Sequence, residues 1–152
     1  VLKEMSRVNA DFEYDSEMLV HIPGTSVKMM PPDHFLLSEK VPGFIHVGTS
    51  ATIQVREISG TSWIMIEQAM TPEEFEKQDV KFVSKSEVEL INGTTGIVYI
   101  VEFFIKEIRY ERLILFAGDY HNTMWINASY PHSTRDLLQD ILLSSILTAQ
   151  FD

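Results

Sequence analysis

Cysteine is absent from the 152 residues. That excludes disulfides, thiolate metal sites, iron–sulfur ligation and cysteine nucleophiles together. Basic residues are scarce: 12 Lys and Arg stand against 22 Asp and Glu, for a net charge of -10. No basic patch opposes that field, since Arg109 and Arg112 alternate with Glu107 and Glu111, so nucleic acid and anionic lipid are disfavoured as partners. Long hydrophobic runs are missing too. The longest, such as Ile97 to Val101 and Leu113 to Ala117, are strand-sized and far short of the ~20 residues a membrane-spanning helix needs. Walker lysine, Gly-x-Gly-x-x-Gly and His-Glu-x-x-His motifs are likewise lacking, and no cofactor is expected.

With 45% hydrophobic and 22% charged residues, the composition is that of a globular chain, of a length that suits one core. Residues 1–18 are acidic and without periodicity, which predicts a loosely held arm ahead of a single domain over 19–152. Pro23-Gly24, Pro31-Pro32 and Pro42-Gly43 cut the next stretch into strand-length pieces at Ser26 to Met30 and Phe35 to Leu37. Ala51, Ile53 and Val55 then alternate with Thr52, Gln54 and Arg56, the period of a strand with one buried face. Thr71-Pro72-Glu73-Glu74 reads as an N-cap with proline at the first helical position, opening a helix of two turns.

From Phe82 to Tyr130 four strand-like runs follow in a meander. Val88 and Leu90 share one face of the first, and Asn92-Gly93 predicts a type I′ hairpin. Ile97 to Ile105 is apolar on both faces, which predicts a central strand covered on both sides. In the last run Met124, Ile126, Ala128 and Tyr130 face inward. Trp125 therefore points to the other face, under a second helical layer or exposed as a contact residue, and the apolar neighbour strand favours the first. A helix is predicted from Ser133, as its N-cap, to about Ala149, with Leu137, Leu138, Ile141, Leu142 and Ile146 as its buried stripe. Burying that stripe offsets too little of the backbone entropy for the helix to stand alone, so it packs on the sheet.

No catalytic constellation emerges. Gly-Thr-Ser occurs at Ser26, Ser50 and Ser62, but the glycine that a nucleophile elbow needs two residues later is replaced by Lys28, Thr52 and Ile64. Asp11, Glu13, Asp15 and Glu17 alternate like the start of a calcium loop, yet Ser16 stands where glycine is required and Ile22 where the final acid is required. The five histidines, His21, His34, His46, His121 and His132, lack zinc-site spacing, so no metal is expected. The candidate binding residues are His34, Trp63, Glu102, Asp119, His121 and Trp125. Glu102 interrupts an apolar strand, and such a carboxylate must find a partner or shift its pKa; exposure at a strand end or edge, or pairing with Arg109 or Arg112, is the plainer account.

The segment Val27-Lys28-Met29-Met30-Pro31-Pro32-Asp33-His34-Phe35 resembles the opening of PsbP-related and DcrB-like bacterial proteins. Pro42-Gly43-Phe44, Ile91-Asn92-Gly93 and Tyr130-Pro131 before the last helix resemble the same group, over about residues 26–151. The order of elements also resembles the Mog1/PsbP-like fold. The resemblance implies an α+β protein, an antiparallel β-sheet with a four-stranded C-terminal meander and helices on both faces, three layers in all. It implies binding or accessory factors, often exported in bacteria, and it offers no catalytic motif. The eukaryotic relative acts on a small GTPase and the plant relative assists the photosystem, but their functional residues match no positions here.

The expectation is a non-catalytic binding or accessory domain of the bacterial cell envelope, with a protein or small molecule as ligand. A start at Val1 leaves room for a removed leader, tag or lipid-anchor segment, and with the resemblance an exported or periplasmic location is expected over the cytoplasm. One alternative is a small-molecule or metal-dependent enzyme whose site assembles in three dimensions from His34, Asp119, His121 or Glu102. Another is a structural module, monomer or homodimer, that pairs through a sheet edge or the Trp125 face.

Overall fold

The computed structural model of the protein describes residues 12–152. Most of the acidic arm therefore lies outside the described residues, as does Asp11 of the calcium-like alternation. A 3-10 turn, Ser16–Met18, follows Asp15, whose carboxylate accepts the Glu17 amide. The strands are β1 (Val20–His21), β2 (Val27–Met29), β3 (Leu36–Leu37), β4 (Gly43–His46), β5 (Ala51–Ser59), β6 (Lys81–Glu89), β7 (Thr95–Ile105), β8 (Ile108–Gly118), β9 (Asn122–Pro131) and β10 (Gln150–Phe151). The helices are α1 (Trp63–Ala69), α2 (Pro72–Lys77) and α3 (Arg135–Ile146).

Seven strands form one antiparallel sheet in the order β3-β4-β5-β9-β8-β7-β6. The meander from β6 to β9 follows chain order, because short turns join antiparallel neighbours. A second sheet, β1-β2-β10, closes one side with the end of the chain. The period-two pattern sorts the side chains. Val98, Leu113, Leu115, Met124, Ile126, Ala128 and Tyr130 pack beneath α3 and the small sheet. Ile97, Tyr99, Val101, Ile114 and Phe116 pack beneath α2, with Trp63 and Ile66 of α1 and Trp125 against them. The sheet thus carries helices on both faces, and Trp125 is half-buried in the second layer.

Several local expectations are corrected. β7 is covered on both faces but stands second from the edge, next to β6. Ser133 does not cap α3: it sits in a 3-10 turn, His132–Thr134, and α3 begins at Arg135 with no side-chain cap. Thr134 donates to the Pro131 carbonyl at 2.7 Å instead. Leu137 is 63% exposed and leaves the stripe, which is completed by Leu143 and Leu147; the buried face follows Leu138, Leu142 and Ile146, and Leu137 stands about 100° round the helix from Leu138. The Asn92-Gly93 turn is not type I′, since Gly93 alone has positive φ, +92°. Gly93 N–H bonds the Leu90 carbonyl and Leu90 N–H the Thr94 carbonyl, a three-residue loop whose last position needs glycine. Helix α1 went unforeseen, although Ser62 caps it by accepting from the Met65 amide. The Thr71 cap and Pro72 start of α2 are as expected.

Candidate functional site

A concavity lies where the Pro31-Pro32 turn meets α3. Met30, the residue before it, is tied to the helix C-terminus, its N–H donating to Thr148 at 2.8 Å and its carbonyl accepting from Ser145 at 2.6 Å. Two prolines then remove two donors and hold the chain away from the sheet. The chain turns through His34, in the left-handed region at φ +69°, and buries Phe35 against His46, with ring centroids 5.1 Å apart. His46 is fixed in turn by Thr49, Nδ1 to Oγ1 at 2.8 Å. The resulting groove encloses about 610 Å³, and Met30, Pro31 and Phe35 face Leu137, Leu138 and Ile141 of α3 across it. Glu13, Asp33, His34 and His46 supply the polar lining. That size and mixture suit a small organic ligand. Leu137, misplaced as a core residue from sequence, is part of this lining.

A second polar assembly crosses the end of the sheet. Glu102 of β7, Glu111 of β8 and Tyr130 of β9 are register partners in one row, all on the α3 face and all buried. Two carboxylates opposite one another repel, so each has its own partner. Arg109 binds both oxygens of Glu102, Nη2 to Oε2 at 2.7 Å. The bond and charge of Arg109 hold the Glu102 carboxyl below its ordinary pKa in spite of burial, and Lys81 and His132 add to the effect. Glu111 accepts from the Tyr130 hydroxyl at 3.0 Å and from His132 Nδ1 at 2.7 Å, with Arg135 Nε 3.7 Å away. Gln139 of α3 donates to the Tyr130 hydroxyl at 2.9 Å, and burial, the leading cause, pushes the Tyr130 pKa up.

His132 therefore carries its proton on Nδ1, oriented by a buried acid, which is the arrangement of a general base. Its other nitrogen, however, faces Arg109 Nη1 at 3.5 Å rather than open space. The row acts as a clasp between β7, β8, β9 and the start of α3. Glu111, His132 and Gln139 escaped the sequence analysis; the available signal was that Glu111 continues the inward alternation of Leu113 and Leu115.

The other candidates are dispersed. Asp119 accepts the backbone N–H groups of His121 and Asn122, each at 2.8 Å, and those bonds lower its pKa. It shapes the β8–β9 turn, while the His121 side chain lies exposed. On the opposite face Trp125 stacks on Phe116 at 5.8 Å, carries Arg56 over its ring at 5.5 Å, and donates Nε1–H to Asn127 at 3.0 Å. On the same face the Tyr99 hydroxyl is buried without a hydrogen-bond partner among the described residues, and burial, followed by the charge of Glu67, pushes its pKa up to about 12. Of the six candidates, only His34 lines the groove and only Glu102 joins the clasp. Among the described residues no group of three or more His, Asp or Glu is placed to hold a metal ion, and no helix is long and apolar enough to cross a membrane.

A seven-stranded antiparallel sheet between one long helix and two short ones, closed by a small accessory sheet, is the Mog1/PsbP-like fold. Among solved structures the chain is similar to LpqN of Mycobacterium tuberculosis, described as involved in cell envelope biogenesis. The identity is 14% over 87% of this chain and 88% of that one, with a TM-score of 0.62. It is similar also to the cyanobacterial PsbP (CyanoP) of Synechocystis, at 7% identity over 92% and 91% of the two chains and a TM-score of 0.59. A Bacteroides thetaiotaomicron protein matches at 13% identity and a TM-score of 0.55; 89% of this chain aligns, spanning 48% of that protein's length. At such identities the likeness establishes the fold alone. No family model and no curated protein sequence matches the chain.

Proposed function

We propose that this chain is a non-catalytic binding or accessory domain of the bacterial cell envelope, exported or periplasmic, which holds a small amphiphile in the groove between the Pro31-Pro32 turn and α3. The observation that carries the reading is the groove itself, about 610 Å³ and mainly apolar, with Glu13 and Asp33 in its lining. Two carboxylates in a chain of net charge -10 favour a ligand with an apolar body and a cationic head. LpqN, the neighbour described as involved in cell envelope biogenesis, supports the location by analogy of fold.

Calorimetric titration with decylamine and with decanoate, both below their micelle concentrations, tests this reading. Decylamine binds with one-to-one stoichiometry and decanoate at least about fivefold more weakly, the equivalent of ~1 kcal/mol for a partly exposed charge contact. Replacing Leu138 by Asp, which puts a charge into the groove floor, abolishes the binding. Equal affinity for the two head groups, or binding unaffected by that change in a folded variant, contradicts the proposal.

A second reading, an enzyme, is favoured by one observation, the Glu111–His132 pair at 2.7 Å. Turnover of an ester or phosphoester panel that disappears in His132→Gln would establish it. The Arg109 guanidinium facing the free imidazole nitrogen weighs for the binding domain.

A further inference from the structure

Helix α2 ends in a Schellman motif: Val80 N–H bonds the Phe75 carbonyl at 3.0 Å and Asp79 N–H the Glu76 carbonyl at 3.1 Å, with Asp79 left-handed at φ +58°. Val80 packs on the same cluster as Phe75, the apolar contact that accompanies such a cap. Because the cap uses these residues, the chain enters the sheet only at Lys81, opposite Glu102. β7 runs on to Ile105, so among the described residues Phe103–Ile105 has no strand on its β6 side. On the other side the β8–β9 pairing stops at Tyr110 and Pro131.

The hairpin tip thus projects beyond both neighbours. Phe104, Ile105 and Ile108 are 67%, 50% and 55% exposed on it, an apolar concentration of the kind that marks interaction surfaces. A two-residue loop, Lys106-Glu107, joins the partners Ile105 and Ile108. That flanking pair exchanges hydrogen bonds, so the N–H and C=O of Phe104 point away from β8, toward the empty lane. The lane is a cavity of about 530 Å³, with Val80, Phe103 and Phe104 as apolar walls and Glu76 and Asp79 beside them, and with Lys81, Glu102 and Arg109 also in its lining. Glu102 at its end is held by Arg109, whereas Glu76 and Asp79 make no ion pair among the described residues.

We infer that the lane beside Phe104 is a peptide-docking site, which takes an extended segment of a partner protein with alternating basic and apolar residues. The segment continues the line of β6. Its backbone bridges the outward N–H and C=O of Phe104, its apolar side chains rest on Phe104, and its cations, on the opposite face of the strand, meet Glu76 and Asp79 beside Phe103. The rest of β6 is closed to such pairing by Lys81 and Lys85 and by the irregularity between Phe82 and Ser84, devices that blunt an edge. This site is separate from the groove, and its test reads different residues.

The probe is acetyl-Lys-Leu-Lys-Leu-Lys-amide, titrated into ¹⁵N-labelled protein, with two controls: the same peptide with Glu for Lys, and one N-methylated at the central residue. The expected result is saturable shifts at Phe103–Ile105 and Val80, with exchange of the Phe104 amide slowed at least tenfold. The Glu peptide and the N-methylated peptide each bind at least tenfold more weakly. Asp79→Asn combined with Glu76→Gln, in which asparagine keeps the left-handed cap, raises Kd three- to tenfold without changing the fold. Shifts confined to His34 and Leu138, equal binding of the Lys and Glu peptides, or a Phe104 amide already protected in a concentration-dependent way by a second copy would each overturn the inference.

Discussion

Replacing Glu111 by alanine probes the polar clasp most severely. Glu111 is 3% exposed and accepts from Tyr130 and His132 at 3.0 and 2.7 Å. Truncation strands the buried Tyr130 hydroxyl, at a cost of roughly 1–3 kcal/mol, and removes the partner of the partly exposed His132. Some of that is recovered, because Gln139, which donates to the Tyr130 oxygen, can turn its amide oxygen to accept the hydroxyl proton, and His132 can turn toward solvent. The residual cavity adds to the loss, so a net destabilisation of about 3–5 kcal/mol is expected, which for a domain of this size lowers Tm by roughly 6–20 °C. Glu111→Gln should cost less, about 1–3 kcal/mol, since its amide nitrogen must confront one of the same donors. Urea unfolding at neutral pH, followed by tryptophan fluorescence, measures both, and an unchanged m-value certifies that the comparison is sound. A double-mutant cycle with His132→Ala should then return a coupling well above ~0.5 kcal/mol. A Glu111→Ala loss under about 1 kcal/mol would refute the reasoning, because it would mean that the row is hydrated and not buried beneath α3.

Glu102, held below its ordinary pKa chiefly by Arg109, contributes stability that is complete above the unfolded carboxylate value, about 4.3, and is lost as pH falls through the folded value. The stability gap between the protein and Glu102→Gln should therefore be widest near neutrality and shrink below about pH 4; urea midpoints across that range that keep a constant gap contradict the pairing. Leu142→Ala should destabilise by about 2–5 kcal/mol and Leu137→Ala by under about 0.5, and equal losses in thermal unfolding would return Leu137 to the core. Tyr99→Phe removes a buried hydroxyl that has no partner among the described residues, so it should be neutral or stabilise by up to about 2 kcal/mol; a loss above about 1 kcal/mol in the same assay would mean that the hydroxyl is satisfied.

The meander was legible because its faces differ: Val88 and Leu90, or Met124, Ile126 and Ala128, stand out at period two against polar neighbours, and β7 announces its double cover by lacking such contrast. Helix α1 was not legible. Its seven residues make barely two turns, too few for an apolar stripe to recur, and Ser62 before Trp63 resembles any turn serine. The misplaced start of α3 has a similar cause, since Ser133 looks like a cap while a 3-10 turn occupies that position. Of the site, His34 and Glu102 were identifiable as oddities in the pattern. Their surroundings were not. The groove joins the segment around Pro31 to a helix more than a hundred residues later, and the clasp joins residues on three strands and a helix, juxtapositions that no local period encodes.

The central claim is that the concavity between Pro31-Pro32 and α3 is the binding site of this domain. Intermolecular NOEs from the alkyl chain of bound decylamine to ¹³C-labelled side chains test it most directly. The account predicts contacts to Phe35, Leu138 and Ile141, with the ammonium end near Asp33. Contacts confined to the Trp125 face, or none with the protein folded and ligand in excess, would contradict it.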